Sequence, residues 1–347
     1  MTDSPRRPLS ADDSLPPVEA PNAGFLVQLF LVPALIVGII VCVYLAFYWL
    51  AHMGNDPEAS LKALQRNTAG RWHAALNFAD DLRGRQGARL KNDPALAGQL
   101  AAILDAEVAS GRPRAADDPR LPERPSTLCT YLCRALGEFA VPEAAAPLLA
   151  RITDPSLPQV SQAAVEAIAV LAVNLRQVNR EFPDPAAVNA ALVAASRSDD
   201  AALRSRAAYS IGVVSGVAGR DRLVEMLADD NDNVRYNAAV GLARVGDGAG
   251  WDTLGEMLAQ PDVVAAPEDQ EAQARRYKRV VVVVNALRGL GLLVDARGGP
   301  GPDAIVTAIA PLEKDPAPDV REAAIALRRK IERLAVDGAG PAPPAAP

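Results

Sequence analysis

The stretch DNDNVRYNAAVGLARVG, Asp230 to Gly246, constrains the chain more than any other feature because the chain repeats it. From Arg235 it reads RYNAAVGL; from Arg71 the chain reads RWHAALNF, and from Arg204 it reads RSRAAYSI. In each, an arginine is followed at +3 and +4 by two alanines and at +7 by a large apolar residue. Similar alanine pairs occur at Ala163-Ala164 and Ala323-Ala324, and segments around Cys129 and Val283 fit the same position without them. Anchored at 74, 129, 163, 207, 238, 283 and 323, the spacings are 55, 34, 44, 31, 45 and 40 residues. All but the first suit a two-helix solenoid repeat. The long interval holds GRPRAADDPRLPERP, Gly111 to Pro125, whose four prolines mark an insertion loop.

A second set of amphipathic segments alternates with the first: PEAAAPLLARI (142–152), PAAVNAALVAA (185–195), GRDRLVEMLAD (219–229), AGWDTLGEMLAQ (249–260) and PDAIVTAIAPLEK (302–314). Leu223, Met226 and Leu227 show the i, i+3, i+4 spacing of an apolar helical stripe. Turns rich in Asp, Asn and Pro separate the sets, and such side chains accept backbone N–H bonds at helix starts. One such hairpin cannot bury both its faces, whereas a stack of them builds a continuous core. Short alanine side chains let neighbouring helices approach closely. The expected fold is all-α: an α-solenoid of about seven helical hairpins over 55–335. RRYKRVVVVVNALRGLGLL, Arg275 to Leu293, has five consecutive valines with strand propensity, yet its helical flanks predict a buried helix.

Phe25 to Leu50, FLVQLFLVPALIVGIIVCVYLAFYWL, carries no charge over 26 residues. As a helix it reaches about 39 Å, enough to cross a bilayer core of about 30 Å. Pro33 lies in its first third; Tyr44, Tyr48 and Trp49 sit toward its far end, where an interfacial belt belongs. The run is longer than a secretory signal core and lacks a small-residue cleavage site, which favours an uncleaved single-pass anchor. Lys62 and Arg66 follow it, while Arg7 is the nearest cation before it, so positive-inside counting tips the large domain to the cytoplasmic side by one or two charges. The ends, 1–24 and 336–347, are polar or rich in Pro, Ala and Gly and are expected to be disordered.

The pattern D-x-x-V-R-x-x-A-A-x-x-L followed by glycine resembles the HEAT repeat, most of all the short variety named for phycobiliprotein lyases. The resemblance covers Pro57 to Leu334. It implies a right-handed curved stack with the second helix of each pair lining a concave face. It also implies that the turn aspartate and helix arginine pair between neighbouring repeats. Asp232 with Arg235 and Asp200 with Arg204 would fill these roles, with Arg71 the equivalent of the first repeat; Arg321 is offset by one residue.

Function is less legible. A net charge of −6 is no footprint for nucleic-acid binding. Histidine is limited to His52 and His73, so histidine metal sites and serine–histidine triads lack material. The HEAT-like enzyme deoxyhypusine hydroxylase holds iron through His-Glu dipeptides, and this chain has none. Cys129 and Cys133, four apart on one helical face, read as small buried hydrophobes. GGPGP at 298–302 reads as a turn, since no phosphate-loop lysine follows it. Trp72 and Trp251 read as packing residues. Arg275, Arg276, Lys278 and Arg279 form the densest basic cluster, either a patch for an anionic partner or a solvated face balanced by Glu268, Asp269 and Glu271. Arg328, Arg329, Lys330 and Arg333 fit the polar outer face of a terminal repeat. The expectation is a non-enzymatic, membrane-anchored scaffold that binds a protein partner and carries no cofactor. The alternatives are lyase- or chaperone-like handling of a tetrapyrrole, implied by the resemblance alone, and a structural subunit of a membrane complex.

Overall fold

The computed structural model describes residues 23–52, 57–66, 70–84, 87–115, 124–263, 266, 268–299 and 301–338. The chain divides into two units, Met1–Asp56 and Pro57–Pro347. The expected tails fall outside the described residues apart from 23–24 and 336–338, as does 116–123 of the insertion loop.

The first unit contributes one helix, α1 (Ala23–His52), which continues through Pro33. It begins two residues before the uncharged run and ends two after it. Leu29–Tyr48 has a mean hydropathy of 2.8 and is long and apolar enough to cross a membrane. Its large hydrophobic side chains, among them Val27, Leu29, Phe30, Leu35, Tyr44, Phe47 and Tyr48, are exposed, an arrangement that is costly in water and natural in lipid.

In the second unit, the described residues form seven hairpins. The pairs are α2 (Pro57–Gln65) with α3 (Arg71–Arg83), then, after the single turn α4 (Gly87–Leu90), α5 (Pro94–Ala109) with α6 (Thr127–Gly137). Next come α7 (Ala145–Ile152) with α8 (Pro158–Gln177), α9 (Pro185–Ala195) with α10 (Ala201–Val214), and α11 (Arg220–Met226) with α12 (Asp232–Arg244). The last two are α13 (Trp251–Leu258) with α14 (Gln270–Arg297) and α15 (Asp303–Ile309) with α16 (Pro318–Gly338). The second helices pack on one another in sequence, α3 on α6, α6 on α8 and so on to α16, so contacts are mainly nearest-neighbour. All seven anchor positions lie on this row. No strand occurs among the described residues, and the valine run is helical within α14. Val283 and Val284 are buried while Val281 is exposed, as helical periodicity requires.

Local chemistry sets the helix starts. Asp93, Asp184, Asp200, Asn231 and Asp269 each precede a helix and accept a backbone N–H from its first turn. Pro94 and Pro185 occupy the first helical position, where a missing N–H costs nothing.

The seam between second helices is made of small residues. Ala75, Ala164, Ala207, Ala208, Ala238, Ala239 and Ala324 are fully buried, and Cys129 and Cys133 occupy the same layer. Glycines make the closest approaches. A Cβ on Gly212 would stand 2.4 Å from Gly241 Cα, and one on Gly137 would stand 2.8 Å from Ala167 Cα. Larger side chains fill the space between the two rows, with Phe78, Leu132, Leu136, Phe139 and Ile168 fully buried. The start of the insertion loop is pinned: Pro113 is buried, Arg112 holds Glu107, and Arg114 holds Asp154 at 2.9 Å.

Candidate functional site

The repeat arginines close turns within their own hairpins. Arg235 Nη1 donates to Asp229 O at 3.1 Å and Arg321 Nη1 to Asp315 O at 2.7 Å, each six residues back. Arg204 Nη1 donates to Ser198 O and Asp199 O at 3.0 and 3.1 Å, and Arg71 Nε to Leu64 O at 2.9 Å. Arg321 thus performs the shared role despite its offset.

The expected aspartate pairing is corrected in register. Arg204 grips Asp229 of the next hairpin through both carboxylate oxygens, at 2.8 and 2.9 Å. Asp200 instead caps α10 through Ala202 N and accepts from Gln162 Nε2 of the preceding hairpin at 2.6 Å. Arg235 does meet Asp232, but within one helix at 3.0 Å; its partner in the next hairpin is Glu256 at 2.9 Å. Asn231, the N-cap residue, holds the place Asp200 has one repeat earlier. Arg71 likewise reaches forward to Glu107 at 2.8 Å. The hydrogen bonds from Arg204 hold Asp229 below its ordinary carboxylate pKa despite its partial burial. These residues fasten neighbouring hairpins together.

The basic cluster separates once the helix exists. Arg279 shares a packing stripe with Ala272, Val283, Ala286 and Leu290 and is 7% exposed. Its Nη2 lies 2.5 Å from Asp315 Oδ2, and Nε donates to Gln260 O at 3.1 Å. It therefore leaves the expected surface patch. Arg275 pairs with Glu271 at 2.5 Å. Arg276 and Lys278 face grooves on the second-helix row.

Among the described residues, three grooves run along that row. The largest, about 1100 Å³, lies between α14 and α16 and is reached by Arg244 of α12. A second, about 690 Å³, is lined by α10, α12 and α14 and shares Arg244, Tyr277, Val281 and Asn285 with the first. A third, about 250 Å³, lies between α6 and α8 and shares Arg206 with the second. The lining is continuous from α6 to α16. Its cations are Arg124, Arg134, Arg206, Arg244, Arg276, Lys278, Arg288 and Lys330; its carboxylates are Glu166, Asp319 and Glu322. Eight cations against three carboxylates make this face positive on a chain whose net charge is −6.

Aromatic and aliphatic groups alternate with these charges. Arg134 lies over Tyr131 at 5.3 Å and Arg244 over Tyr209 at 5.7 Å. Tyr277, Val281 and Leu292 of α14 are exposed, Tyr277 at 73%. Such a surface suits a ligand that is both anionic and apolar. The repeat pattern does not single out Tyr131, Tyr209, Arg244 and Arg288; their signal is a large or charged residue on a second helix away from its buried positions.

The remaining residues fall as follows. Trp72 stacks on Tyr131 at 5.4 Å and packs against the core, as Trp251 does in the later hairpins. His73 is exposed beside Trp72. Cys129 and Cys133 are buried and free; burial pushes the Cys129 thiol up to about 12 and raises that of Cys133 as well. Among the described residues, no three His, Cys, Asp or Glu side chains are grouped so as to hold a metal ion.

A family model described as HEAT repeats matches residues 188–267, from α9 to the segment before α14. Among curated proteins none matches the sequence. Two solved structures are similar. The Escherichia coli protein YibA is 15% identical, with 82% of this chain and 96% of that chain covered and a TM-score of 0.35. Human deoxyhypusine hydroxylase in complex with glycerol is 18% identical, with 82% and 99% covered and a TM-score of 0.32.

Proposed function

We propose that the chain is a membrane-anchored, non-enzymatic scaffold that holds a protein partner on the face formed by its second helices. The single observation that carries this reading is the unbroken lining of that face over six consecutive second helices, from α6 to α16. A surface of this kind presents many side chains on a rigid stack, and its nearest-neighbour packing fixes their spacing. α1 supplies the anchor: a helix of this length and hydropathy, with its side chains uncovered, is stable in a bilayer. Lys62 and Arg66, which follow it in the sequence, favour a cytoplasmic solenoid.

The test is affinity isolation of the full-length chain from solubilised membranes. A polypeptide recovered in stoichiometric yield is the expected result. Turnover of a small substrate with no recovered polypeptide would contradict it.

The volume of the α14–α16 groove, about 1100 Å³, also suits a flat amphipathic carboxylate such as a tetrapyrrole. Titration of the purified chain with bilin or haem separates the two readings. An absorbance shift that saturates at one equivalent and is suppressed by reversing groove charge would support ligand handling over scaffolding.

A further inference from the structure

Resting on the scaffold reading, we infer that the groove between α14 and α16 receives an acidic peptide segment carrying aliphatic side chains. Three features specify this occupant. The groove floor is apolar, with Val280, Val284, Leu287, Ala323 and Leu327 in its lining. Among the described residues, the groove's Arg244, Arg276 and Arg288 have no carboxylate partner, whereas Lys330 is held by Asp295 at 2.6 Å. The carboxylates of the lining, Asp319 and Glu322, both stand at the start of α16.

The charge is therefore arranged, not merely present. Arg276 and Arg288 are twelve residues apart on α14, about 18 Å along the axis at a rise of about 1.5 Å per residue. An extended segment covers that distance in about six residues. Acidic side chains along one edge would meet α14, and aliphatic ones would enter the floor. A nucleic acid, anionic along its whole backbone, would set phosphates against Asp319 and Glu322 and leave the valine floor uncovered, whereas a peptide can place an aliphatic side chain at those positions. Exposed Tyr277 beside Arg276 supplies an aromatic wall with little entropy to lose.

The test uses the full-length chain in lipid nanodiscs and a fluorescent 14-residue peptide of Asp, Glu, Leu and Phe, read by anisotropy. The comparison probes are the same peptide with Asn and Gln in place of the acids, and a 20-nucleotide single-stranded DNA. Expected is saturable binding of the acidic peptide, at least tenfold weaker for the amide peptide and for DNA. Arg276→Glu with Arg288→Glu should weaken it at least tenfold. Arg89→Glu with Arg197→Glu, an equal charge change at two exposed sites outside the grooves, should leave it unaltered. Circular dichroism and melting confirm that the variants fold. Absent binding, equal binding of the amide peptide, tighter binding of DNA, or no effect of the double reversal each overturns the inference. A membrane polypeptide recovered in full yield by the double-reversal chain would also overturn it, while leaving the scaffold reading intact.

Discussion

Arg279 and Asp315 form a buried ion pair, 2.5 Å apart, that ties the first third of α14 to the turn opening α16. The side chains are 7% and 4% exposed, and Asp315 also accepts from Ala317 N at 2.9 Å. Breaking such a pair leaves a buried charge uncompensated. Arg279→Met is expected to cost about 3–5 kcal/mol of unfolding free energy. Arg279→Met with Asp315→Leu should recover part of that loss, because no lone charge remains. Urea unfolding of the parent chain and the two variants measures both effects.

Acid should loosen the stack at its inter-hairpin carboxylates. The Arg112 hydrogen bonds hold Glu107 below its ordinary value of 4.5, outweighing burial. Asp229 lies below its ordinary 3.8 through Arg204. For Asp315, burial pushes the carboxyl up, but Arg279 and the Ala317 N–H together bring it below 3.8. A carboxylate depressed in the folded state stabilises fully above its unfolded pKa and stops doing so as pH falls through the folded value. Melting temperature should stay level down to about pH 5 and then fall as pH drops through the range near 4 and below. Arg204→Ala, which removes the partner of Asp229, should lower the plateau and make the acid decline shallower.

Glycine substitutions should have opposite signs at two helical sites. Gly98 of α5 has nothing within 4 Å of an added Cβ. Gly98→Ala should therefore stabilise by about 0.5–1 kcal/mol through helix propensity. At Gly212 an added Cβ would stand 2.4 Å from Gly241 Cα, so α10 and α12 must separate. Gly212→Ala should destabilise by about 1–3 kcal/mol. Thermal or urea unfolding decides the sign of each.

This contrast shows what the sequence reveals and what it hides. The alanine pairs announce the seam because they recur at a fixed offset from arginine. Gly137 and Gly212 do the same work, but a glycine inside a helical pattern reads only as a weak helix former. The partner of Arg204 was obscured because the chain has several acidic turns, and only backbone geometry decides that Asp200 caps a helix while Asp229 takes the guanidinium. Arg279 hid within a run of cations, although its seven-residue spacing from Ala272 and four-residue spacing to Val283 already placed it on the packing stripe. The groove cations come from several helices, one or a few from each, so no local window of sequence shows the positive face.

The two core thiols should be inert in the folded chain. Cys129 and Cys133 are fully buried, and burial keeps them protonated at neutral pH. Mass spectrometry after brief alkylation should find both unmodified in native protein and both modified in denaturant. Rapid native labelling of Cys133 would contradict the packing of α6 against α8.

Anchoring predicts that the chain remains in the membrane fraction after alkaline carbonate and leaves it only with detergent. Removing residues 1–56 should release it. The mature polypeptide should retain Phe25 to Leu50 by intact mass, whereas a start near residue 50 would identify α1 as a removed signal.

Site-specific photocrosslinking in the native membrane tests the central claim most directly. A photoreactive residue at Tyr277, on the grooved face, should yield a discrete adduct with one polypeptide. The same residue at Val217, exposed on the turn after α10 and outside every groove, should not. Identical adducts from both positions, or an adduct from Val217 alone, would contradict a scaffold that works through its second-helix face.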